Sequence, residues 1–298
     1  MSDSTASLRR KIGSAGDLQS VVRTMKVVTA SSIGQYERSV VALADYTRAL
    51  ELGLGACLRE IGPEPLAQKK GKKAVGGLAG AVVFGSDQGL VGQFNEDVSD
   101  HALKALEAFK PQPEIWAVGE RVHARLVDAG LPVKGLFTVP RSIMAITPLV
   151  GRILVTAEAN FDQKEGFELH LFYNRPILRS VYGPIHQRLL PLDETWRRNL
   201  AGLAWPGGNR PEVMSGGAET LRSLIGGYLF VSLFRACAES LASENASRLA
   251  AMQRADKNIE ELLVDLKGSF HRLRQSGIDE ELFDVVSGFE ALNAEKNS

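Results

Sequence analysis

Residues 259–273 read IEELLVDLKGSFHRL, and their apolar positions decide the architecture. Ile259, Leu263, Leu266, Phe270 and Leu273 follow one another at steps of 4, 3, 4 and 3. That alternation averages about 3.5 residues, the period that keeps one face of a helix against another helix. Ile278, Leu282, Val285, Phe289 and Leu292 repeat the steps after a skip of five. Five residues is not a heptad phase, so a local change of winding or register is expected between Leu273 and Ile278. No proline occurs from Glu212 to Leu292, which removes the strongest helix breaker.

The other end of the chain matches. Residues 7–60 also lack proline, with apolar positions at Leu8, Ile12, Ala15, Leu18, Val22, Met25 and Val28. Two such helices, at opposite ends of one chain, most simply pair with each other as a rod. A helix of about 80 residues would span roughly 120 Å, and the N-terminal helix about two-thirds of that. A domain of this size cannot bury such a helix, so part of it must project. A rod suggests mechanical or scaffolding work.

The middle changes period. Leu78 to Phe84 is a short, nearly all-apolar run, as in a strand buried on both faces. Residues 98–109, 120–129 and 143–160 read as helices, with Pro148 marking a first turn or a kink. Residues 114–118 and 133–139 read as strands. Residues 168–173 and 178–182 read as a hairpin turning near Asn174, Arg175 and Pro176. Alternating strands and helices predict a small Rossmann-like α/β domain, its sheet largely parallel with an antiparallel edge. Gly62, Pro63 and Pro65 end the first helix, and Lys69, Lys70, Gly71, Lys72 and Lys73 form a solvated linker. Residues 183–218 read as an irregular connector, with the last helix starting near Pro211 or Glu212. The expected layout is an N-terminal coiled-coil helix over 1–62, the α/β domain over 74–190 and a C-terminal helix over 211–298.

Composition narrows the function classes. The 298 residues carry 35 basic and 35 acidic side chains, so charge gives no hint of nucleic acid or anionic lipid. Apolar residues make up 44%, enough for a real core. Arg9, Arg10 and Lys11 interrupt the first apolar run, unlike a secretory signal. Apolar stretches such as Gly226 to Phe234 fall short of the roughly 20 residues of a membrane span. Cys57 and Cys237 are the two cysteines; both read as buried hydrophobes in a reducing compartment.

Catalytic motifs are thin. No phosphate-loop pattern occurs, and Gly53 and Gly55 echo a dinucleotide fingerprint inside a helix, where it has no meaning. His101, His123, His170, His186 and His271 are scattered without metal-ligand spacing. No metal or cofactor is expected. The segment from Ser86 to Asn95, SDQGLVGQFN, follows a strand and precedes a helix, where α/β folds often bind ligands. Asp87 and Ser86 suggest chemistry, but no base or oxyanion set assembles around them. The structural reading is a sharp turn at Gly89 and Gly92, with Asn95 capping the next helix.

Three segments carry a resemblance. Residues 8–31 include Arg10 to Ser14, Gln19, Met25 to Val28 and Ala30-Ser31. The second segment is Ser86 to Asn95. The third includes Ala242 to Met252, Ala255 to Asn258, Arg274-Gln275, Ile278, Glu281-Leu282 and Val285 to Gly288. In this order they resemble the gamma subunit of F-type ATP synthases, the central rotor shaft, over essentially the whole chain. The resemblance implies a non-catalytic subunit whose N- and C-terminal helices form an antiparallel two-helix coiled coil, its tip turning inside a hexameric ring of alpha and beta subunits. Its globular domain would bind the epsilon subunit and the ring of c subunits, so that membrane association comes through the complex. The expected place is the cytoplasmic face of a bacterial inner membrane. Each angle of the shaft would favour a different beta conformation.

By the same resemblance, Arg23, Met25, Arg274, Gln275, Asp279 and Glu280 fall where the family touches a loop of the beta subunit. Arg23 replaces a lysine and keeps the charge an acidic loop would need. Asp279 and Glu280 replace threonine and glutamine, turning donors into acceptors. Gln88 replaces an arginine, Val91 a frequent cysteine and Ser32 a lysine, which suggests a divergent branch. A static coiled-coil scaffold and a nucleotide-binding α/β enzyme are the alternatives.

Overall fold

The computed structural model describes residues 4–61, 79–161, 168–177, 180–190, 194–207, 209, 211–212 and 217–296. The lysine linker at 69–73 and the breakers at Gly62, Pro63 and Pro65 lie outside the described residues. Helix α1 spans Thr5–Ile61. Then come β1 (Ala79–Phe84), α2 (Phe94–Leu106), β2 (Glu114–Val118), α3 (Glu120–Asp128) and β3 (Val133–Phe137). A 3-10 turn (Ile143–Ala145) leads into α4 (Ile146–Phe161), followed by β4 (Glu168–Ile177), β5 (Ser180–Leu190), α5 (Glu194–Ala201) and α6 (Gly217–Lys296). Pro148 sits in the first turn of α4, where its missing N–H has no intrahelical partner to lose.

The chain divides into two compact units, residues 29–248 and residues 1–28 with 249–298. In the first unit the sheet order is β3-β2-β1-β4-β5. β1, β2, β3 and β4 run parallel, and β5 closes the edge antiparallel to β4. Every residue of β1 is buried, which is why its sequence is apolar without alternation. One face packs Ala81, Val83, Ile115, Ala117 and Phe172 against α2 and α3. The other packs Val82, Phe84, Leu169, Leu171 and Tyr173 against α4 and the 233–242 stretch of α6, with Tyr36 of α1.

Residues 183–190, expected as connector, extend β5. Gln187 pairs with Leu171 and His186 with Phe172, and Pro184 is tolerated because β5 is an edge strand. Helix α5 also lies in the expected connector. Leu200 of α5 packs with Leu54, Cys57, Leu58 and Leu221. A Cβ on Gly55 would stand 2.3 Å from the Leu200 carbonyl oxygen, so the α1–α5 approach requires glycine there. Arg59 of α1 donates to the carbonyls of Ala201 and Leu203 at 3.1 and 2.7 Å, satisfying the C-terminal end of α5.

From Leu8 to Leu50 the buried positions of α1 are Leu8, Ala15, Val22, Thr29, Tyr36 and Leu50, with Leu43 half-buried in the same row. That is every seventh residue, the spacing that holds one face inward along a supercoil. Leu18 and Val28, expected in the seam, are exposed, because they fall off this row. In the coil unit Ala15, Val22 and Met25 pack against Met252, Ala255, Ile259 and Leu263. Helix α6 contains an 18-residue stretch of mean hydropathy 1.3, more apolar than the expectation drawn from Gly226 to Phe234, but half of it is buried within the protein. A core helix passes the same test.

Candidate partner-contact site and the strand-end turn

β1 ends at Phe84, and the chain turns immediately. Asn95 lies inside α2 and is buried; Gln93 precedes the helix without a side-chain cap. The cap expected of Asn95 is therefore absent, because its side chain is bound elsewhere. Its Oδ1 accepts from the Ser86 N–H at 2.9 Å, and its Nδ2 donates to Ser86 Oγ at 2.9 Å. Ser86 Oγ in turn donates to the Gln88 carbonyl at 2.8 Å. Gly92 takes φ 59, as a tight turn requires, whereas Leu90 at φ 62, and not Gly89, holds the other left-handed position.

Asp87 joins three strand ends. Its Oδ1 accepts from Glu120 N, the first residue of α3, and its Oδ2 from Val139 N, both at 3.1 Å. Gly119 completes the junction at φ 117, where a Cβ would stand 2.8 Å from the Ser86 backbone. Both carboxylate oxygens are thus engaged by backbone amides. The arrangement is a staple across the C-terminal edge of the sheet.

In the coil unit Arg23, Met25 and the N-terminal seam face a residue the sequence reading did not single out. Asp256 accepts from Lys26 Nζ at 2.7 Å, Gln19 Nε2 at 3.2 Å and Arg23 Nε at 3.3 Å. The Lys26 ammonium bonded to it holds the Asp256 carboxyl below its ordinary range, with Gln19 and Arg23 adding to the effect. The signal was present: Gln19, Arg23 and Lys26 are donors at helical spacing beside the seam, and a row of donors calls for an acceptor. Met25 packs into the apolar cluster alongside.

Arg274, Gln275, Asp279 and Glu280 are all exposed. Arg274 lies eighteen residues beyond Asp256 on α6, about 27 Å at 1.5 Å per residue. The six residues therefore form two clusters along the coil. The Arg9 guanidinium lies 5.8 Å from the Phe270 ring, which sets the start of α1 beside about residue 274. Beyond it Ile278, Leu282, Phe283, Val285 and Val286 are exposed.

The histidines are less scattered than their sequence positions. His170 Nδ1 lies 2.9 Å from His186 Nε2, and His170 Nε2 3.1 Å from Glu168 Oε2. His186 stacks on Phe172 at 4.5 Å, and His101 meets the same ring edge-on. Burial pushes both His170 and His186 below the usual imidazole value, against the pull of Glu168 on His170. Antiparallel pairing of β4 with β5 creates this cluster, and no local spacing reveals it. Among the described residues no group of three or more His, Cys, Asp or Glu side chains has metal-binding geometry.

On α6, Glu244 and Arg248 form a 2.7 Å ion pair whose side chains are 7% and 13% exposed. Burial raises the Glu244 carboxyl, and Arg248 opposes that rise.

Solved structures share this fold. A chain of the Euglena gracilis mitochondrial ATP synthase, described as OSCP/F1/c-ring in rotational state 3, matches with TM-score 0.65 at 15% identity, covering 99% of this chain and 96% of that one. The central stalk/c-ring structure from Tetrahymena thermophila gives TM-score 0.56 at 20% identity, over 79% of this chain and 99% of its own. These likenesses define the fold as that of ATP synthase central stalks. The family model described as ATP synthase matches residues 4–292. The ATP synthase gamma chain of Moorella thermoacetica is 30% identical over 297 residues, covering 96% of this chain and 98% of the relative. That of Salinibacter ruber is 28% identical, covering 96% and 97%. The chain belongs to the ATP synthase gamma chain family.

Proposed function

We propose that this chain is the central shaft of an F-type ATP synthase, coupling transmembrane ion flow to ATP synthesis or hydrolysis by turning inside an alpha-beta ring. The observation that carries the reading is the end of α6. Ile278, Leu282, Phe283, Val285 and Val286 are exposed there, beyond the contact of Arg9, near the start of α1, with Phe270. An apolar run of that size on one helix fits a partner's apolar sleeve. The epsilon subunit and c ring are the expected partners of the sheet domain. Arg274, Gln275, Asp279 and Glu280 contact the beta-subunit loop, and Arg23 and Met25 form a second patch whose charge Asp256 already balances in part.

The subunit does no chemistry of its own; the staple role of Asp87 and the pairing of Ser86 with Asn95 support this. Helices α1 (Thr5–Ile61) and α6 (Gly217–Lys296) are the shaft helices, and the sheet domain grips the membrane rotor. The complex places the chain at the cytoplasmic face of a bacterial inner membrane.

The test is reconstitution with alpha and beta subunits. Co-purification with the ring and nucleotide hydrolysis by the assembly are expected. ATP turnover by the purified chain alone, or no capture by the ring, would sink the reading.

A further inference from the structure

Helix α6 meets the sheet domain through two serines one turn apart. Ser243 and Ser247 are both buried. Ser247 Oγ donates to the Val91 carbonyl in the turn after β1. Ser243 Oγ lies 2.8 Å from the Glu239 carbonyl and 3.1 Å from the Asn174 carbonyl, its one proton shared between them. Asn174, fully buried in β4, donates from Nδ2 to the Phe94 carbonyl at 2.8 Å. Directional bonds thus run from α6 through β4 to the start of α2, and from α6 directly to the turn.

Around them the buried α6 surface is mostly apolar, with Leu233, Phe234, Ala236, Ala238, Leu241 and Ala242, beside the carboxylates of Glu239 and Glu244. Apolar burial has no direction, so these contacts set the angle of the helix less sharply than directional bonds do. Hydrogen bonds differ. Turning α6 by about 20° about its axis moves its Cα atoms, roughly 2.3 Å out, by about 0.8 Å. The hydroxyls move further, whereas a sound hydrogen bond spans only about 0.5 Å of distance. Buried, satisfied polar networks fix one arrangement for this reason.

We propose that Ser243, Ser247 and Asn174 form a clasp that fixes the angle of α6 about its own axis against the sheet domain. This rests on the shaft reading: torque applied to the sheet domain is delivered to α6, which continues past Arg248 as the same helix. These are positioning residues; they touch no substrate.

The experiment uses the assembled complex. The alpha-beta ring is fixed to a surface and arrested with nucleotide, and a bead is attached to the sheet domain through Lys134→Cys. With Ser247→Ala, the variance of the bead's angle should rise about twofold, since one of the two hydroxyl contacts of α6 is gone. Ser243→Ala/Ser247→Ala should raise it further, and Ser247→Thr, which keeps the hydroxyl, should bring the variance back toward the unsubstituted value. An unchanged variance in the double variant overturns the clasp. So does a rise that Ser247→Thr reproduces. If the double variant does not assemble, Ser247→Ala decides by the same measure. Failure of the unsubstituted chain to join the ring overturns the shaft reading itself, and the clasp with it.

Discussion

The two units of this chain solve opposite problems. Residues 29–248 bury their apolar groups on both faces of the sheet and satisfy the strand-end turn internally, through Asp87, Ser86 and Asn95. In the other unit, Ala15, Val22, Met252 and Ile259 are covered while Ile278, Leu282 and Val285 stay in solvent. A side chain left exposed by the fold is available to a partner; one enclosed by it is available only to stability. Substitutions of enclosed side chains should therefore act on folding, and those at the exposed end of α6 on assembly.

The largest contrast tests that division directly. Phe172→Ala empties a fully buried site between the sheet and α2, and should cost about 3–5 kcal/mol in urea unfolding. Phe283→Ala, on the exposed end of α6, should change the same measurement by less than about 0.5 kcal/mol yet weaken capture by the alpha-beta ring. Equal stability losses from the two would break the comparison.

Asp87→Ala comes next. It leaves the amides of Glu120 and Val139 without their acceptor, so a loss of about 1–3 kcal/mol is expected. Asp87→Asn keeps one oxygen and should lose less. Denaturant midpoints of the two variants, taken together, separate the staple from a mere surface charge.

A smaller effect comes from the histidine pair and appears only in acid. Both imidazoles hold a proton less readily in the fold than in the unfolded chain, where the value is near 6.5. Unfolding then takes up protons at low pH, so the pair's contribution is complete above about pH 6.5 and is lost as pH falls through that value toward the folded ones. Glu168 and Arg188 act on His170, and His170 and His101 on His186. The urea midpoint should fall between about pH 7.5 and about 5.5, and fall less in His170→Gln.

Why was one unit legible and the other only partly? The 4-3-4-3 steps from Ile259 to Leu273 announced α6, because helical contact is periodic along the chain. β1 and β2 were legible for a similar reason, as short apolar runs. Helix α5 was missed because its burial depends on Gly55, more than a hundred residues away in sequence, making room for Leu200. The Asn95 bond to Ser86 was missed because an asparagine beside a helix start is ordinarily read as a cap. Leu18 and Val28 were misplaced because the apolar pattern of α1 is broader than the row that packs. The histidine cluster exists only once distant segments meet, and the donor row of Gln19, Arg23 and Lys26 gains its acceptor, Asp256, only when α6 lies beside α1.

Asp256 gives the smallest and most easily screened effect. Lys26, Gln19 and Arg23 converge on it, but the Arg23 side chain is 59% exposed, and ion pairs in that setting gain little over hydration. Its carboxyl titrates lower in the fold than in the unfolded chain, so the stabilisation is present above the unfolded value near 3.9 and fades as pH drops through the folded one. Asp256→Asn should therefore unfold slightly more easily at neutral pH and low salt. At about 1 M salt, where the screening length is near 3 Å, the difference should shrink toward nothing. A difference that survives that salt would mean the carboxylate acts by hydrogen-bond geometry instead of charge. Asp256 would then belong with the stapled residues of the sheet domain.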